Sequence, residues 1–268
     1  MSVSLEEKDE ILLVINGTEE TLQIITAKRE NEEEPFSLLE AKTLVVPGRS
    51  VNFMVPSIRD SLNLFGYSCR DVSRIALLAG PGSFTGLRLT FAAAAGISAG
   101  CGCPVSALEY LPILAKGAAI VSGMPVWAVT HSRKMQVYIQ GFEAINKSGE
   151  LIPITPPLPV KIHEAGKIIL SHKQETAVLA GSGLTKNKTF FDDFLAENPQ
   201  YTAMPSRFNI PALQDLLDAA EHADYSHIMP VPMYLRGSDA EENLEMITSK
   251  RGISIEAARE QLKDVTPH

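Results

Sequence analysis

The sequence contains few cysteines and no long apolar run. Its three cysteines, Cys69, Cys101 and Cys103, form no CxxC pair, and an odd number without framework spacing argues against a secreted, disulfide-bonded domain. For Cys101 and Cys103 we therefore favour a structural role, as two small thiols buried at a helix-to-strand junction, over a redox or metal-binding role. The apolar stretch around residues 89–99 is shorter than the roughly 18 residues that a membrane span requires. Because the acidic N-terminus also lacks the basic and apolar regions of a signal peptide, we expect a cytoplasmic protein that does not engage membranes.

Positive charge is scarce as well. The chain has 24 Lys and Arg against 32 Asp and Glu, a net charge of −8, which argues against independent nucleic-acid binding. Residues 1–34 contain ten acidic and three basic residues, whereas the other 234 residues are almost neutral, with 22 acids and 21 bases. We predict that residues 1–10 form an acidic tail, and solubility is favoured over docking as its role.

Apolar runs and glycine turns alternate along the 268 residues in a pattern typical of an α/β protein with two halves. Predicted strands of the first half are Ile11–Ile15, Leu22–Ala27, Leu44–Val46, Ile75–Ala79 and Pro104–Ala107; predicted helices are 53–65, Phe84–Ala99 and Leu108–Ala119. Predicted strands of the second half are Val126–Thr130, Gln136–Phe142 and Ala177–Ala180; predicted helices are Lys161–Ser171 and Ile210–Ala223. Since proline is tolerated only in a first turn, Pro56 predicts that its helix begins near Val55. The order indicates a duplicated βββαβα plan, although the sequence repeat itself is faint.

The most distinctive motif is a glycine-rich turn between a predicted buried strand and a predicted helix. It reads Gly80-Pro81-Gly82-Ser83-Phe84-Thr85-Gly86, and either Ser83 or Thr85 is a candidate helix cap. The motif has no lysine, so it is not a P-loop, and its spacing does not match the dinucleotide fingerprint. A tight structural turn is favoured, while a phosphate-contacting turn made by Gly80, Gly82, Ser83, Thr85 and Gly86 stays open.

The helix after this turn is rich in small residues. Its sequence contains four consecutive alanines, Ala92–Ala95, followed by Gly96 and Ala99. Four consecutive positions surround a helix, so some of these alanines must point away from the sheet on which the helix packs. We expect that surface to meet a second helix or another protein chain.

The run from Ala79 to Arg88, together with the small-residue helix and the segment Gly102–Glu109, closely resembles the bacterial TsaB (YeaZ) family. The resemblance extends over about residues 11–236, with weaker similarity at Arg133, at 181–183 and at 232–236. The family has been grouped with glycoprotease-like metallopeptidases. It supplies the non-catalytic subunit for synthesis of N6-threonylcarbamoyladenosine at adenosine 37 of tRNAs that read ANN codons.

The resemblance implies an actin/Hsp70/sugar-kinase (ASKHA) fold with two RNase-H-like lobes. On that basis we expect an N-terminal lobe at 11–119 and a C-terminal lobe at 120–236. Residues 237–268 are expected to be a helical extension, for which packing on the N-terminal lobe is one option.

The resemblance also implies a protein-binding surface on the first two helices of the N-terminal lobe. The candidate interface residues are Phe53, Ile58, Leu62, Phe84, Ala93 and Ala94. The implied partners are a catalytic TsaD paralogue and a TsaE-type ATPase, with ATP and metal on those subunits and tRNA bound only through the complex. The same surface is a candidate for homodimer formation, because a large exposed apolar patch favours burial.

This chain departs from the family pattern at several polar positions. Asn16 replaces an aspartate that organises the metal in nucleotide-binding relatives, and an amide cannot supply the charge that Mg²⁺ prefers. Arg49-Ser50-Val51-Asn52 replaces Arg-His-Ser-Glu, His131-Ser132-Arg133 replaces Asp-Ala-Arg, and Gln136 replaces a glutamate. The combined loss of acidic and imidazole groups fits a subunit without catalytic residues or a cofactor of its own.

Two alternative functions remain at this stage. A small-molecule kinase or ATPase of the same fold would need a metal-organising acid, which Asn16 does not provide, and a phosphate-binding turn. A metallopeptidase would need a metal-binding pair such as HxxxH, yet no two of the six histidines are four residues apart, and His222 and His227 are five apart.

Overall fold

The computed structural model describes residues 9–145 and 149–236. Described residues up to Met233 belong to one compact unit, and a second unit begins at Tyr234. The predicted extension at 237–268 and most of the predicted acidic tail lie outside the described residues.

The N-terminal lobe is built on a five-stranded mixed sheet. Its strands are β1 (Glu10–Asn16), β2 (Thr21–Arg29), β3 (Ser37–Val45), β4 (Val72–Gly80) and β5 (Val105–Glu109). Its helices are α1 (Ser50–Asn63), α2 (Phe84–Cys101) and α3 (Tyr110–Ser122). The strand order is β3-β2-β1-β4-β5; β2 runs antiparallel to β1, whereas β4 runs parallel to it.

The C-terminal lobe repeats this topology. Its strands are β6 (Val126–Arg133), β7 (Gln136–Ala144), β8 (Leu151–Pro153), β9 (Leu158–Lys161), β10 (Ala177–Ala180) and β11 (Tyr201–Ala203). Its helices are α4 (Ile162–Ser171), α5 (Ser182–Lys186), α6 (Lys188–Glu197) and α7 (Leu213–Glu221). The order β8-β7-β6-β10-β11 corresponds to β3-β2-β1-β4-β5 of the first sheet, as the duplicated plan predicts. The second sheet has one strand more, because β8 and β9 both pair with β7 where the first sheet has β3 alone.

The side chains of β1 alternate between the two faces of the first sheet, and both faces are covered. Ile11, Leu13 and Ile15 pack with Met54 of α1 and Phe91 of α2 in one core cluster. Leu12 and Val14 are also buried and point to the opposite face, because successive strand residues alternate. Helix α7 contacts β1, β2 and β5 there, so the first sheet lies between two helical layers.

The last helix of each half packs on the sheet of the other half. Helix α3 follows β5 in the chain and contacts β4, but it packs mainly on β6, β7, β8 and β10 of the second sheet, while α7 packs on the first sheet. Apolar side chains on both helices, including Leu114 and Leu216, are almost fully buried. The two lobes therefore share their helical layers. The expected division between residues 119 and 120 instead assigns α3 to the lobe on which it does not mainly pack.

Several element bounds differ from the predictions. Helix α1 begins at Ser50, so Pro56 lies inside the helix rather than in its first turn. The proline removes one backbone donor, a loss that this largely exposed helix tolerates. Strand β3 begins at Ser37, seven residues earlier than predicted, because Glu40 and Lys42 interrupt the apolar pattern of this edge strand. The short strands β8, β9 and β11 and helices α5 and α6 were not predicted at all.

Candidate functional site

The glycine-rich turn packs directly on the backbone of the β1–β2 turn. A Cβ atom at Gly82 would lie 2.2 Å from the carbonyl oxygen of Thr18, and one at Gly86 would lie 2.1 Å from that of Gly17. The Ser83 amide donates to the Thr18 carbonyl oxygen over 2.6 Å. Backbone contact thus explains both glycines, and it favours the structural interpretation of the turn.

Two donors that the phosphate-contacting interpretation needs are engaged within the protein. The Ser83 amide is bound to Thr18, and the Gly86 amide donates to the Ser83 hydroxyl over 3.3 Å. This second bond makes Ser83 the N-cap of α2, so of the two predicted candidates, Ser83 and Thr85, Ser83 is the cap. Thr85 is exposed and borders a cleft, and Gly80 adopts a φ of +115° at the end of β4.

The buried amide of Asn16 is held in a polar network. Its Oδ1 atom accepts from the amide of Thr18 at 3.1 Å and from the hydroxyl of Thr18 at 2.7 Å. Its Nδ2 atom donates to Oε1 of Gln23 over 2.7 Å, and Gln23 donates in turn to the carbonyl of Pro211. The Asn16 oxygen is therefore engaged in holding the β1–β2 turn, and an amide carries no charge for a divalent cation.

A cleft of about 760 Å³ separates the two lobes near these turns. Its N-terminal wall includes the β1–β2 turn and the first turns of α1 and α2, and its opposite wall includes the β6–β7 turn and α5. The volume lies within the range of small-molecule sites. Thr85 and Gly86 of the predicted turn line this cleft together with His131 and Arg133. In the sequence, His131 is notable only as a departure from the family pattern and Arg133 only as a point of weak similarity to it.

Two adjacent glutamates of the β1–β2 turn reach across the cleft to α5. Glu19 Oε1 accepts from the Ser182 hydroxyl at 2.6 Å, and its Oε2 atom accepts from the buried Tyr110 hydroxyl at 3.3 Å. Burial raises the pKa of Glu19 to about 7, although hydrogen bonds from Ser182 and Tyr110 act in the opposite direction. Glu20 forms an ion pair with Lys186, with Oε2 and Nζ 2.8 Å apart.

His131 lies beside this pair on β6. Its amide donates to the Ser182 hydroxyl oxygen over 2.9 Å, so one hydroxyl connects β6, α5 and Glu19. Burial lowers the pKa of His131, and the nearby Lys186 ammonium lowers it further. The imidazole is therefore favoured in its neutral form near pH 7.

Within residues 9–145 and 149–236, no three His, Cys, Asp or Glu side chains converge in a way that could hold a metal ion. Burial and contact with Cys101 raise the pKa of the Cys103 thiol to about 12, which disfavours a metal-binding thiolate there. In the same part of the chain, no helix combines the length and apolar character needed to cross a membrane.

The predicted interface residues separate into buried and exposed groups. Ile58, Leu62 and Ala94 are buried in the core of their own lobe, so they cannot themselves form a contact surface without unfolding it. Phe84 and Ala93 are half-buried, and Phe53 is 36% exposed. Phe53 lies on the solvent side of α1 next to the buried Met54, so it does not share a face with Ile58 and Leu62.

Exposed apolar and small residues nevertheless cover the outer surfaces of α1 and α2. Val51 is 63% exposed and Val55 is 60% exposed, while Ala92 and Gly96 are exposed one turn apart on α2. We call these four residues and Phe53 the outer face of α1 and α2. Sequence reasoning missed Val51 and Val55 in this role, although the polar character of their neighbours Asn52 and Ser57 could have indicated that side of α1.

Comparison with protein families gives a direct assignment. The family model described as TsaD, tRNA N6-adenosine threonylcarbamoyltransferase, matches residues 49–192, more than half of the chain. The chain belongs to this family. Within it the chain is assigned to the TsaB (YeaZ) members, as predicted from the glycine-rich turn and the segments that follow it.

Two curated relatives share one name, tRNA threonylcarbamoyladenosine biosynthesis protein TsaB. The Bacillus subtilis (strain 168) protein is 26% identical over 236 residues, covering 86% of this chain and 96% of that protein. The Escherichia coli (strain K12) protein is 32% identical over 93 residues, covering 34% of this chain and 40% of that protein.

A solved structure agrees with the architecture. The crystal structure of an uncharacterized Pseudomonas aeruginosa protein with similarity to peptidase YEAZ superposes with a TM-score of 0.65 at 22% identity. It covers 85% of this chain and 100% of that one. The predicted ASKHA fold with two RNase-H-like lobes is confirmed.

Proposed function

We propose that this chain is a subunit of the machinery that makes N6-threonylcarbamoyladenosine in tRNA, and that it acts by binding a catalytic TsaD-type paralogue. The biosynthetic role is supported by the common name of its curated relatives. A supporting rather than catalytic role is favoured by Asn16, whose side chain braces a turn instead of presenting a carboxylate to the cleft.

The observation that carries the docking proposal is the outer face of α1 and α2. Both helices bury one side against the first sheet, through Ile58 and Ala94 among others, and leave apolar or small side chains on the other side. Small residues such as Ala92 and Gly96 let the backbone of a partner helix approach closely, and burial of Val51 and Val55 would add a hydrophobic contribution. The paralogue, together with a TsaE-type ATPase, would hold ATP, metal and tRNA.

A charge placed on this face separates docking from folding. At Gly96 an added Cβ meets no atom within 4 Å, and Ala92 is exposed, so Gly96→Glu and Ala92→Glu leave the lobe folded. We expect both variants to lose co-elution with the TsaD-type paralogue in size-exclusion chromatography. Ala94 is fully buried and is unsuitable for this test, because a glutamate there would disrupt the core.

Ala196→Glu provides a matched control, since Ala196 is an exposed helical alanine on α6 of the other lobe. This variant should co-elute like the wild type. Retention of the paralogue by both α2 variants would refute the interface. Unchanged modified nucleoside in tRNA after deletion of the gene, measured by mass spectrometry, would refute the biosynthetic role itself. Sedimentation of the isolated chain tests whether the same face forms a homodimer.

The interlobe cleft favours one alternative, a small-molecule kinase or ATPase of the same fold. Its volume of about 760 Å³ would hold a nucleotide-sized ligand, whereas Asn16 and the engaged amides of Ser83 and Gly86 count against a magnesium-phosphate site. Titration with Mg-ATP distinguishes the two functions. Submillimolar binding accompanied by turnover of the isolated chain would favour the kinase or ATPase.

A further inference from the structure

We propose that Glu19, Tyr110 and Ser182 form a proton-linked latch that closes the interlobe cleft. The latch is independent of the proposed function, because it concerns the equilibrium between closed and open lobes of the chain itself. Its three members come from three different elements: the β1–β2 turn, the first residue of α3 and the first residue of α5.

The geometry makes Glu19 the link between the lobes. Its carboxylate oxygens accept from Ser182 at 2.6 Å and from Tyr110 at 3.3 Å. Ser182 is fixed by the His131 amide, which donates to it over 2.9 Å, and Tyr110 is fully buried at the start of the helix shared by the lobes. When the lobes separate, Glu19 leaves both hydroxyl groups and enters the water of the cleft.

The charged groups around Glu19 define its electrostatic environment. Glu20 lies beside it on the turn, His131 on β6 and Lys186 on α5, and Lys186 is paired with Glu20. Glu20 disfavours a second negative charge, and the neutral His131 imidazole adds no positive one. The His131 amide favours an ionised Glu19, as the Ser182 and Tyr110 hydroxyls do, but these hydrogen bonds are outweighed by burial. Burial therefore dominates and raises the pKa of Glu19 to about 7 in the closed state.

The direction of the pH effect follows from the two protonation equilibria. In the open state Glu19 is hydrated and its pKa returns toward 4.5, so opening releases a proton between pH 4.5 and about 7. Across that interval the open-to-closed ratio rises about tenfold per pH unit, and above about pH 7 it levels off because Glu19 is ionised in both states. The latch is thus tightest in mildly acidic solution.

Hydrogen exchange measures this opening. Peptides covering 16–23 and 180–187 report on the cleft, while peptides covering 75–79 and 126–130 in the central strands report on global unfolding. After correction for the intrinsic effect of pH, we expect opening of the cleft peptides to rise about 100-fold between pH 5 and pH 8, while the strand peptides stay far better protected at every pH because they open only on global unfolding.

Matched variants assign the effect to Glu19. Glu19→Gln, which keeps the shape but cannot titrate, should give opening that is independent of pH. Glu20→Gln removes the neighbouring carboxylate and its ion pair with Lys186, yet it should retain the pH dependence. His131→Gln should retain the pH dependence as well. Cleft opening that does not depend on pH in the wild type, or that still depends on pH in Glu19→Gln, would overturn the latch. Loss of the pH dependence in Glu20→Gln or His131→Gln would overturn it too.

A direct titration keeps the proposal testable if Glu19→Gln does not fold. The carboxyl carbon of Glu19, followed by NMR in the full-length wild-type chain, should titrate near pH 7. A midpoint near the ordinary value of 4.5 would overturn the proposal whatever the variants show.

Discussion

The amide of Ser83 donates a 2.6 Å hydrogen bond to the carbonyl oxygen of Thr18. This bond joins the glycine-rich turn to the β1–β2 turn, and the same two turns form one wall of the interlobe cleft. The glycines of the motif are therefore required by close backbone packing, and their role can be measured as folding stability.

Gly82→Ala and Gly86→Ala should each destabilise the protein by about 1–3 kcal/mol or more, because the added methyl group would overlap a carbonyl oxygen of the β1–β2 turn. Urea denaturation measures the change. Gly96→Ala is the matched control in the same segment, where open space and a helical backbone predict a gain of roughly 0.5–1 kcal/mol. Equal effects at all three positions would contradict the packing explanation.

Asn16→Asp should cost about 1–3 kcal/mol, because the new carboxylate would face Oε1 of Gln23 without a donor between them. Restoring the acid of the family pattern is thus expected to weaken the turn. Asn31→Asp is the control, since the Asn31 side chain uses only its oxygen, which accepts from the amides of Glu33 and Glu34. Thermal and urea unfolding should show no significant loss for that variant.

Glu10→Gln should destabilise the N-terminal lobe by about 1–2 kcal/mol. Glu10 Oε2 accepts from Arg29 at 2.9 Å and from Arg74 at 2.6 Å, and its loss leaves two partly buried guanidinium groups without this carboxylate. Glu33→Gln, in the exposed loop after β2, should change the free energy of unfolding by less than about 0.5 kcal/mol. If Glu10→Gln changed the free energy of unfolding as little as Glu33→Gln does, Glu10 would behave as part of a solvated tail.

The Glu19 carboxyl should also affect global stability, with a definite sign. Its pKa is about 7 in the folded chain and near 4.5 when unfolded, so its contribution becomes less favourable as pH rises through that interval. The difference in unfolding free energy between Glu19→Gln and the wild type should therefore move in favour of the variant by about 2–3 kcal/mol from pH 5 to pH 8. A difference that is constant with pH would contradict the raised pKa.

Local patterns predicted the central strands well. Continuous apolar runs such as Ile75–Ala79 lie within buried parallel strands, and Ser83 caps α2 as its position before the helix suggests. The edge strand β3 was mostly missed, because an edge exposes polar residues such as Thr43 and lacks the apolar signal of a central strand. Sequence periodicity reports burial, so it identifies strands best where both faces are covered.

The candidate site was harder to predict, since it depends on contacts between distant segments. Glu19 and Ser182 are 163 residues apart, and neither has a sequence context that indicates a shared hydrogen bond. Helical spacing placed Ile58 and Leu62 correctly on one face, but it could not tell whether that face meets the sheet or a partner. Only the packing of α1 on the sheet decides between these alternatives.

The exchange of α3 and α7 between the lobes has a consequence for synthesis on the ribosome. The first sheet acquires the helix that covers its second face only when residues 213–221 have been translated. Until then Leu12 and Val14 lack the helical layer that buries them in the folded chain, and such exposed apolar surface makes a nascent chain prone to aggregation. Fragments divided between residues 119 and 120 should likewise remain incomplete separately and recover native structure only when the two pieces are mixed.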